Sequence, residues 1–270
     1  MEALIFERLL GVRRPGAALL SIEQDRGQSG ARPPHSKEAS GLTRLSPPLI
    51  LSVETATLSG SVALTRGEDV LAAFAGDAQV SHSNTLLNDI DRLLSETKVS
   101  LPEMDLFAVA TGPGSFTGLR IGIATVKALA ATLDRPCAGI PTLEAVALAA
   151  GPSPQTVALL PAGRGEVFAQ LFSVTDDGFI TALDQPAHIS PQKLLEKYGS
   201  FDNLLWCGEG AIANKSLIEQ NAHWQIASQT SVLATHVARL ALIKFHARQL
   251  ERAGALQAIY VRPSDAELKV

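Results

Sequence analysis

The stretch ATGPGSFTGLRIGIATVKALAA, Ala110 to Ala131, decides the reading of this chain. A strand-like run ends in a glycine-rich turn that opens straight into a helix, the arrangement with which nucleotide-binding proteins hold phosphate. The glycines fit neither familiar phosphate template. A dinucleotide fingerprint needs G-x-G-x-x-G, and Thr117 stands where a third glycine would follow Gly112 and Gly114. A P-loop ends in Gly-Lys-Ser/Thr, whereas the next lysine is Lys127, well inside the helix. What remains is general: amides at a helix N-terminus, with Ser115 or Thr117 as cap, where an anion could sit weakly. A tight strand-to-helix turn without a ligand accounts for the same residues. Ser115 is not a nucleophile elbow of the G-x-S-x-G kind, because two residues separate it from Gly118.

The helix behind the loop is unusual on its own terms. At 100° per residue, Leu119, Ile123, Val126, Ala130 and Leu133 fall on one stripe. Gly118, Gly122, Thr125 and Leu129 form a second stripe beside it, and only Arg120 and Lys127 carry charge. A helix apolar nearly all round is expected to be buried on more than one face. One face covers a sheet; the small-residue face would admit another helix backbone, from this chain or from a partner.

Working outward, residues 1–48 have scattered Arg, Gly, Ser and Pro with no sustained period, which predicts a flexible extension. A translation start nearer Leu49 is the alternative reading of that segment. From Leu49 the pattern is regular. LILSVE reads as a buried strand, SVALT and VLAAFA as two more, His82–Ser95 as a helix with Leu86, Ile90, Leu93 and Leu94 on one face. DLFAVA is a strand leading into the glycine loop, CAGI a strand, and PTLEAVALAA a helix. TVALLP, EVFAQLFSV and FITALD then repeat the three strands, followed by the helix PQKLLEKY, the strand NLLWCG and a long helix over about Ser231–Arg252. Two copies of one strand-helix order predict an internally duplicated α/β fold, with lobes over residues 49–152 and 153–270.

Composition narrows the function classes. A formal net charge of -4 argues against a protein whose main task is gripping a nucleic-acid backbone. No run of about 18 apolar residues exists to span a membrane, and the N-terminus carries Glu2 and Glu7 rather than a cleavable apolar core, so the expectation is cytoplasmic. Cys137 and Cys207 sit far apart in apolar surroundings and read as buried thiols rather than a disulfide or metal pair. His82 opens a helix, but Leu86 stands at i+4, so no histidine pair faces one metal. Arg239, Lys244, Arg248 and Arg252 read as a solvated face, with a minor RNA contact as the alternative. Glu54 ends the first strand before a Thr/Ser-rich turn. In duplicated actin-like ATPase folds an acidic residue there reaches a nucleotide-bound metal through water. The equivalent turn of the second copy, Leu160-Pro161-Ala162-Gly163, has no carboxylate, so half of a phosphate-metal clamp is missing.

Six segments together carry a resemblance: ILSVETATLSGSVAL, HSNTLLNDIDRLL, DLFAVATGPGSFTGLRIGIATVKALA, IPTLEAVA, GRGEVFAQLF and YVRPSDAE. They resemble the TsaB family, from Leu49 to about Leu268. The resemblance implies a duplicated actin-like ATPase (ASKHA, RNase H-like) fold, two lobes each with a mixed sheet and helices. It implies a non-catalytic subunit that binds no metal and no cofactor and has no catalytic residues of its own. Its partner would be the paralogue TsaD, which transfers a threonylcarbamoyl group to N6 of adenosine 37 in tRNA; the ATPase TsaE would engage the assembled pair. The chain would meet tRNA only indirectly. The implied partner surface is the helix pair His82–Ser95 and Phe116–Leu133, through Leu86, Ile90, Leu93, Leu94, Gly118, Leu119, Gly122, Ile123 and Val126. A homodimer through the same helices is a further reading. An independent small-molecule kinase or metallohydrolase of the same fold is the alternative function. The chain departs from the family pattern at Pro161-Ala162-Gly163-Arg164, where an Asp-Ala-Arg-like segment is common, and at Glu54, where many relatives have Asp.

Overall fold

The structure is a computed structural model in which residues 46–77, 79, 82–228, 230 and 232–261 are described, without the side chains of residues 82–84. The extension expected over residues 1–48 lies outside the described residues as far as residue 45, and so do residues 262–270.

Strands β1 (Leu49–Glu54), β2 (Ser61–Arg66), β3 (Asp69–Ala75), β4 (Leu106–Gly112) and β5 (Cys137–Pro141) form a sheet in the order β3-β2-β1-β4-β5. The first three run antiparallel, whereas β4 and β5 run parallel to β1. Every residue of β1 and of β4 is buried. An apolar run without alternation demands cover on both faces of the sheet. Helices α1 (His82–Thr97) and α2 (Phe116–Thr132) supply one cover, and α3 (Thr142–Ala149) leads toward the second half.

The second sheet is built from β6 (Ser153–Gly163), β7 (Glu166–Val174), β8 (Ile180–Ala182), β9 (Ala187–Ile189), β10 (Leu205–Cys207) and β11 (Gln225–Ile226). Its order is β11-β10-β6-β7-β8, with β9 also on β7. Laid over the first sheet, β6, β7, β8, β10 and β11 take the places of β1 to β5. The sense of every pairing is the same: antiparallel for the hairpins, parallel for the two crossovers. The fold is therefore a duplicated α/β architecture. Helices α4 (Pro191–Tyr198), α5 (Glu209–Ala213) and α6 (Lys215–Ile218) belong to this half.

The last helix departs from the sequence expectation in two ways. Helix α7 spans Ala234–His246 and is shorter than Ser231–Arg252, because Arg248 takes a positive φ of 57° and the chain turns back. Glu251 then exchanges two 2.8 Å backbone hydrogen bonds with Cys137 at the edge of β5. In addition, α7 covers the first sheet rather than the second. Its buried Val237, Ala238, Leu240 and Ala241 join the core of β1 and β4. The Ser52 hydroxyl donates to the carbonyl of Ala234 at 2.8 Å, and the Ala234 amide donates to the Ser61 hydroxyl at 2.9 Å. Ser52 and Thr55 point to opposite faces of β1 by strand alternation. Accordingly, Ser52 meets α7 while Thr55 meets α2. Both cysteines are free and buried, and burial pushes the Cys137 thiol up to about 11.

The second lobe has its own smaller core, around Trp206, Tyr198 and Trp224. Asp184 ties its periphery together. One carboxylate oxygen accepts from the Leu171 amide at 2.8 Å, the other from the Tyr198 hydroxyl and the Lys197 ammonium, each at 2.5 Å. Asp184→Ala strands the donors of Tyr198 and Leu171 in a buried setting, so urea unfolding is expected to show a loss of roughly 2–4 kcal/mol. Lys197→Ala, which removes a partly exposed partner, is expected to cost no more than about 1 kcal/mol.

Candidate functional site

The glycine loop is filled by the chain itself. The Ser115 amide, first donor of the expected anion site, gives its hydrogen bond to the carbonyl of Ala56 at 2.8 Å. The Gly118 amide is capped by the Ser115 hydroxyl at 3.2 Å, as the sequence suggested for that serine. Thr55 reaches across and donates its hydroxyl to the carbonyl of Gly118 at 2.7 Å. On the other side, the Ile259 amide donates to the Thr111 carbonyl at 2.7 Å, and the Gly112 amide to the Thr142 hydroxyl at 3.0 Å.

These contacts explain the glycines. A β-carbon on Gly114 would sit 2.5 Å from the carbonyl oxygen of Ala56. One on Gly118 would overlap the carbonyl oxygen of Thr55, and one on Gly122 would overlap its hydroxyl. At Gly112, where φ is 117°, a β-carbon would lie 2.5 Å from the carbonyl oxygen of Ile259. The small stripe at Gly118 and Gly122 therefore admits the first strand's turn, within the chain. The expectation that it sets the distance to a partner helix is corrected: no partner backbone can occupy space that Thr55 already fills.

Glu54 stands at the end of β1 and is wholly buried. Its carboxylate accepts from the amides of Ala56 at 2.5 Å and Thr57 at 2.8 Å, and from the Thr57 hydroxyl at 2.6 Å. Burial raises its pKa above the usual carboxylate range; the three donors oppose that rise, and the charge of Glu209 adds to it. Glu209 was not singled out in the sequence. It opens α5 just after β10, and it accepts from the Leu58 amide at 3.2 Å. The second lobe thus sends a carboxylate toward Glu54 from the CGEG turn, rather than from Leu160–Gly163. The only hint in the sequence was an acidic residue at the end of a parallel strand.

Between the lobes, Thr57, Ser59, Cys207, Glu209, Thr230 and Leu233 line a cavity of about 30 Å³. That is space for one or two waters. Among the described residues, no three His, Cys, Asp or Glu side chains gather as a metal site. The His82 side chain lies outside the described residues. Of the basic residues read as a solvated face, Arg239 donates to the Asp177 carbonyl at 2.8 Å and Lys244 to the Gly139 carbonyl at 2.7 Å.

The residues expected to form the partner surface are core residues. Leu86, Ile90, Leu93 and Leu94 are buried under α1, and Gly118, Leu119, Gly122, Ile123 and Val126 under α2. The correction has a simple cause. A 3.6-residue period marks the stripe a helix buries against its own sheet, and periodicity carries no information about a second neighbour. What α2 exposes is a different stripe, Arg120, Ala124, Ala128 and Ala131, at three- and four-residue spacing. Beside it, α1 exposes Asn88 and Arg92 and leaves Leu87 and Asp91 half-buried.

Two measurements check this geometry. Gly118→Ala is expected to cost roughly 2–3 kcal/mol in chemical unfolding by overpacking against Thr55, while Gly254→Ala, with open space around it, stays within about 0.5 kcal/mol of wild type. For Glu54, a folded-state pKa raised above the unfolded value means the folded state holds the proton more tightly. Its contribution is full below the ordinary carboxylate pKa of 4.5 and is lost as pH rises through the folded value. Glu54→Gln keeps an acceptor for the two amides without the charge. Its melting temperature relative to wild type is therefore expected to climb as pH rises from 4 to 8.

Residues 75–258 match the family model described as TsaD, tRNA N6-adenosine threonylcarbamoyltransferase. The tRNA threonylcarbamoyladenosine biosynthesis protein TsaB of Bacillus subtilis (strain 168) is 26% identical over 224 residues, 82% of this chain and 96% of that protein. The TsaB of Escherichia coli (strain K12) is 30% identical over 151 residues, 55% of this chain and 65% of that protein. Among solved structures, YeaZ from Pseudomonas aeruginosa superposes with a TM-score of 0.67 at 22% identity, covering 79% of this chain and 99% of that one, a likeness of fold. The chain belongs to the TsaD family, and it matches the TsaB of Bacillus subtilis along nearly the whole of that protein.

Proposed function

We propose that this chain is the non-catalytic partner of a TsaD-type threonylcarbamoyltransferase in the formation of threonylcarbamoyladenosine at position 37 of tRNA. The observation that carries the reading is the occupied loop. Where an actin-like ATPase would present amides to phosphate, the amides of Ser115 and Gly118 are spent on Ala56 and on the cap. The cleft cavity of about 30 Å³ is an order of magnitude below the volume of ordinary ligand pockets. An independent kinase of this fold would need both features reversed.

A partner role also gives the exposed face of α2 a use. Alanines at 124, 128 and 131 offer methyl groups and little side-chain entropy to lose, so a second helix can approach closely at small cost. The proposed surface is this outer face together with the outer face of α1, in place of the core residues named from the sequence. On this reading the transferase supplies the chemistry, TsaE acts on the assembled pair, tRNA is met through the transferase, and the assembly works in the cytoplasm. No helix among the described residues is long and apolar enough to cross a membrane.

The test is titration calorimetry of the purified chain with TsaD from the same cell, using wild type and Ala128→Glu. Ala128 is exposed, so the variant is expected to keep its melting temperature while binding falls at least tenfold, about 1.4 kcal/mol. Wild-type protein that ignores TsaD, or that alone turns over ATP or threonylcarbamoyl adenylate, contradicts the proposal.

A further inference from the structure

After its bridge to β5, the C-terminal segment runs as a strap toward the start of α2. Leu256 is buried, and its carbonyl accepts from the Lys127 ammonium at 3.0 Å. Three residues later the Ile259 amide is bound to Thr111 at 2.7 Å, at the foot of the glycine loop. Two anchors so close in sequence fix the end of the strap. They deliver Ile259 and Tyr260 beside Phe116, the first residue of α2, with the Phe116 and Tyr260 ring centroids 5.8 Å apart. The guanidinium carbon of Arg120 lies 3.8 Å from the centroid of the Phe116 ring.

This cluster is open to solvent. Tyr260 is 53% exposed, Phe116 44% and Ile259 38%. Phe107, Phe172, Tyr198 and Trp206 are buried, whereas Phe179, in the second lobe, is an isolated exposed ring at 60%. Arg120 makes no ion pair among the described residues; its guanidinium lies over the Phe116 ring. Two exposed rings, an aliphatic side chain and a guanidinium without an ion pair among the described residues are held together here, and Tyr260 and Arg120 are of the residue types that dominate interface energetics. The ordering cost has been met in advance, because the strap is anchored and the rings pack on each other.

We infer that Phe116, Arg120, Ile259 and Tyr260 form the anchor of the surface that meets the transferase, an inference that rests on the proposed pairing. The partner face has a defined chemistry: an apolar hollow that takes the two rings, with a carboxylate at its rim for the Arg120 guanidinium. Arg120 also heads the exposed alanine stripe of α2, so the cluster and the stripe are one continuous surface. A protein is favoured over RNA as occupant by charge. The chain is net -4 and the cluster holds one cation, whereas a nucleic-acid backbone calls for several. The C-terminal strap, remote in sequence from α2, thus supplies half of the anchor.

The experiment measures affinity of the full chain for TsaD, and of the resulting complex for tRNA, with wild type, Phe116→Ala, Tyr260→Ala, Arg120→Ala and Ala128→Glu. Phe116→Ala and Tyr260→Ala are each expected to weaken TsaD binding about tenfold or more, with tRNA affinity of the pre-formed complex unchanged. Arg120→Ala is expected to weaken it less as salt is raised, since the lost contact is ionic. Should Phe116→Ala lower the melting temperature, Tyr260→Ala, at the strap's outer end, decides the question alone. Wild type and Tyr260→Ala binding TsaD equally, while Ala128→Glu fails, overturns the anchor and leaves the proposed function standing. Loss of tRNA affinity with TsaD affinity intact also overturns it, and makes the cluster a base-stacking surface. Absence of TsaD binding by wild type removes the proposed function and the anchor together.

Discussion

The structure depends on the contact between the turn after β1 and the glycine loop after β4. Thr55 and Ala56 press their backbone into space left by Gly114 and Gly118, the Thr55 side chain fills the space at Gly122, and the Thr55 hydroxyl and the Ala56 carbonyl are both hydrogen-bonded there. An anion-binding loop and this loop start from the same elements, a strand, glycines and a helix N-terminus. They differ in what satisfies the amides. When the Ser115 and Gly118 amides are bound to the Ala56 carbonyl and the Ser115 hydroxyl, an incoming phosphate has to break a hydrogen bond for each one it makes there, so those two donors confer little affinity. The glycines are kept for close approach, and the strand, turn and helix become one rigid unit.

That unit is held from behind by residues distant in sequence. Helix α7 covers the face of the first sheet opposite α1 and α2, and the strap after it closes the edge at Cys137 and the foot of the loop at Thr111. The edge of β5 is further protected by the Lys244 ammonium on the Gly139 carbonyl and by Pro141, which has no amide to offer. The two halves of the duplicated fold are therefore unequal. The first sheet is sandwiched between α7 and the pair α1 and α2, whereas the second sheet shares one face, through Leu160, Phe172 and Val174, with the main core and has a smaller core around Trp206 on the other. A rigid outer face is what a subunit that acts by docking requires, since little ordering cost is left to pay on association.

Much of this was legible in the residues. The run Leu49–Val53, apolar but for Ser52, predicts a strand covered on both faces, and the strand order of each half follows from hairpins and crossovers of ordinary length. Strands β9 and β11 and helices α5 and α6 were not legible, being two to five residues long and below any period. Glu209 is not legible as a neighbour of Glu54, because it follows β10, the counterpart of β4, rather than β6, the counterpart of β1. The residues expected at a partner surface lie in the core for a deeper reason. Leu86, Ile90 and Val126 announce burial, and burial against the chain's own sheet looks the same in sequence as burial against another molecule. The outer stripe of α2 that remains open, three alanines and one arginine, has no hydrophobic signal strong enough to stand out.

The most direct test of the central claim follows the backbone amides of Ser115 and Gly118 by NMR while inorganic phosphate, and then Mg-ATP, is titrated into the protein. An amide already bound to Ala56 or to the Ser115 hydroxyl is expected to exchange slowly with solvent and to keep its chemical shift throughout both titrations. A saturable shift of the Ser115 amide, with faster exchange in the free protein, would show the loop open to phosphate and would contradict the account.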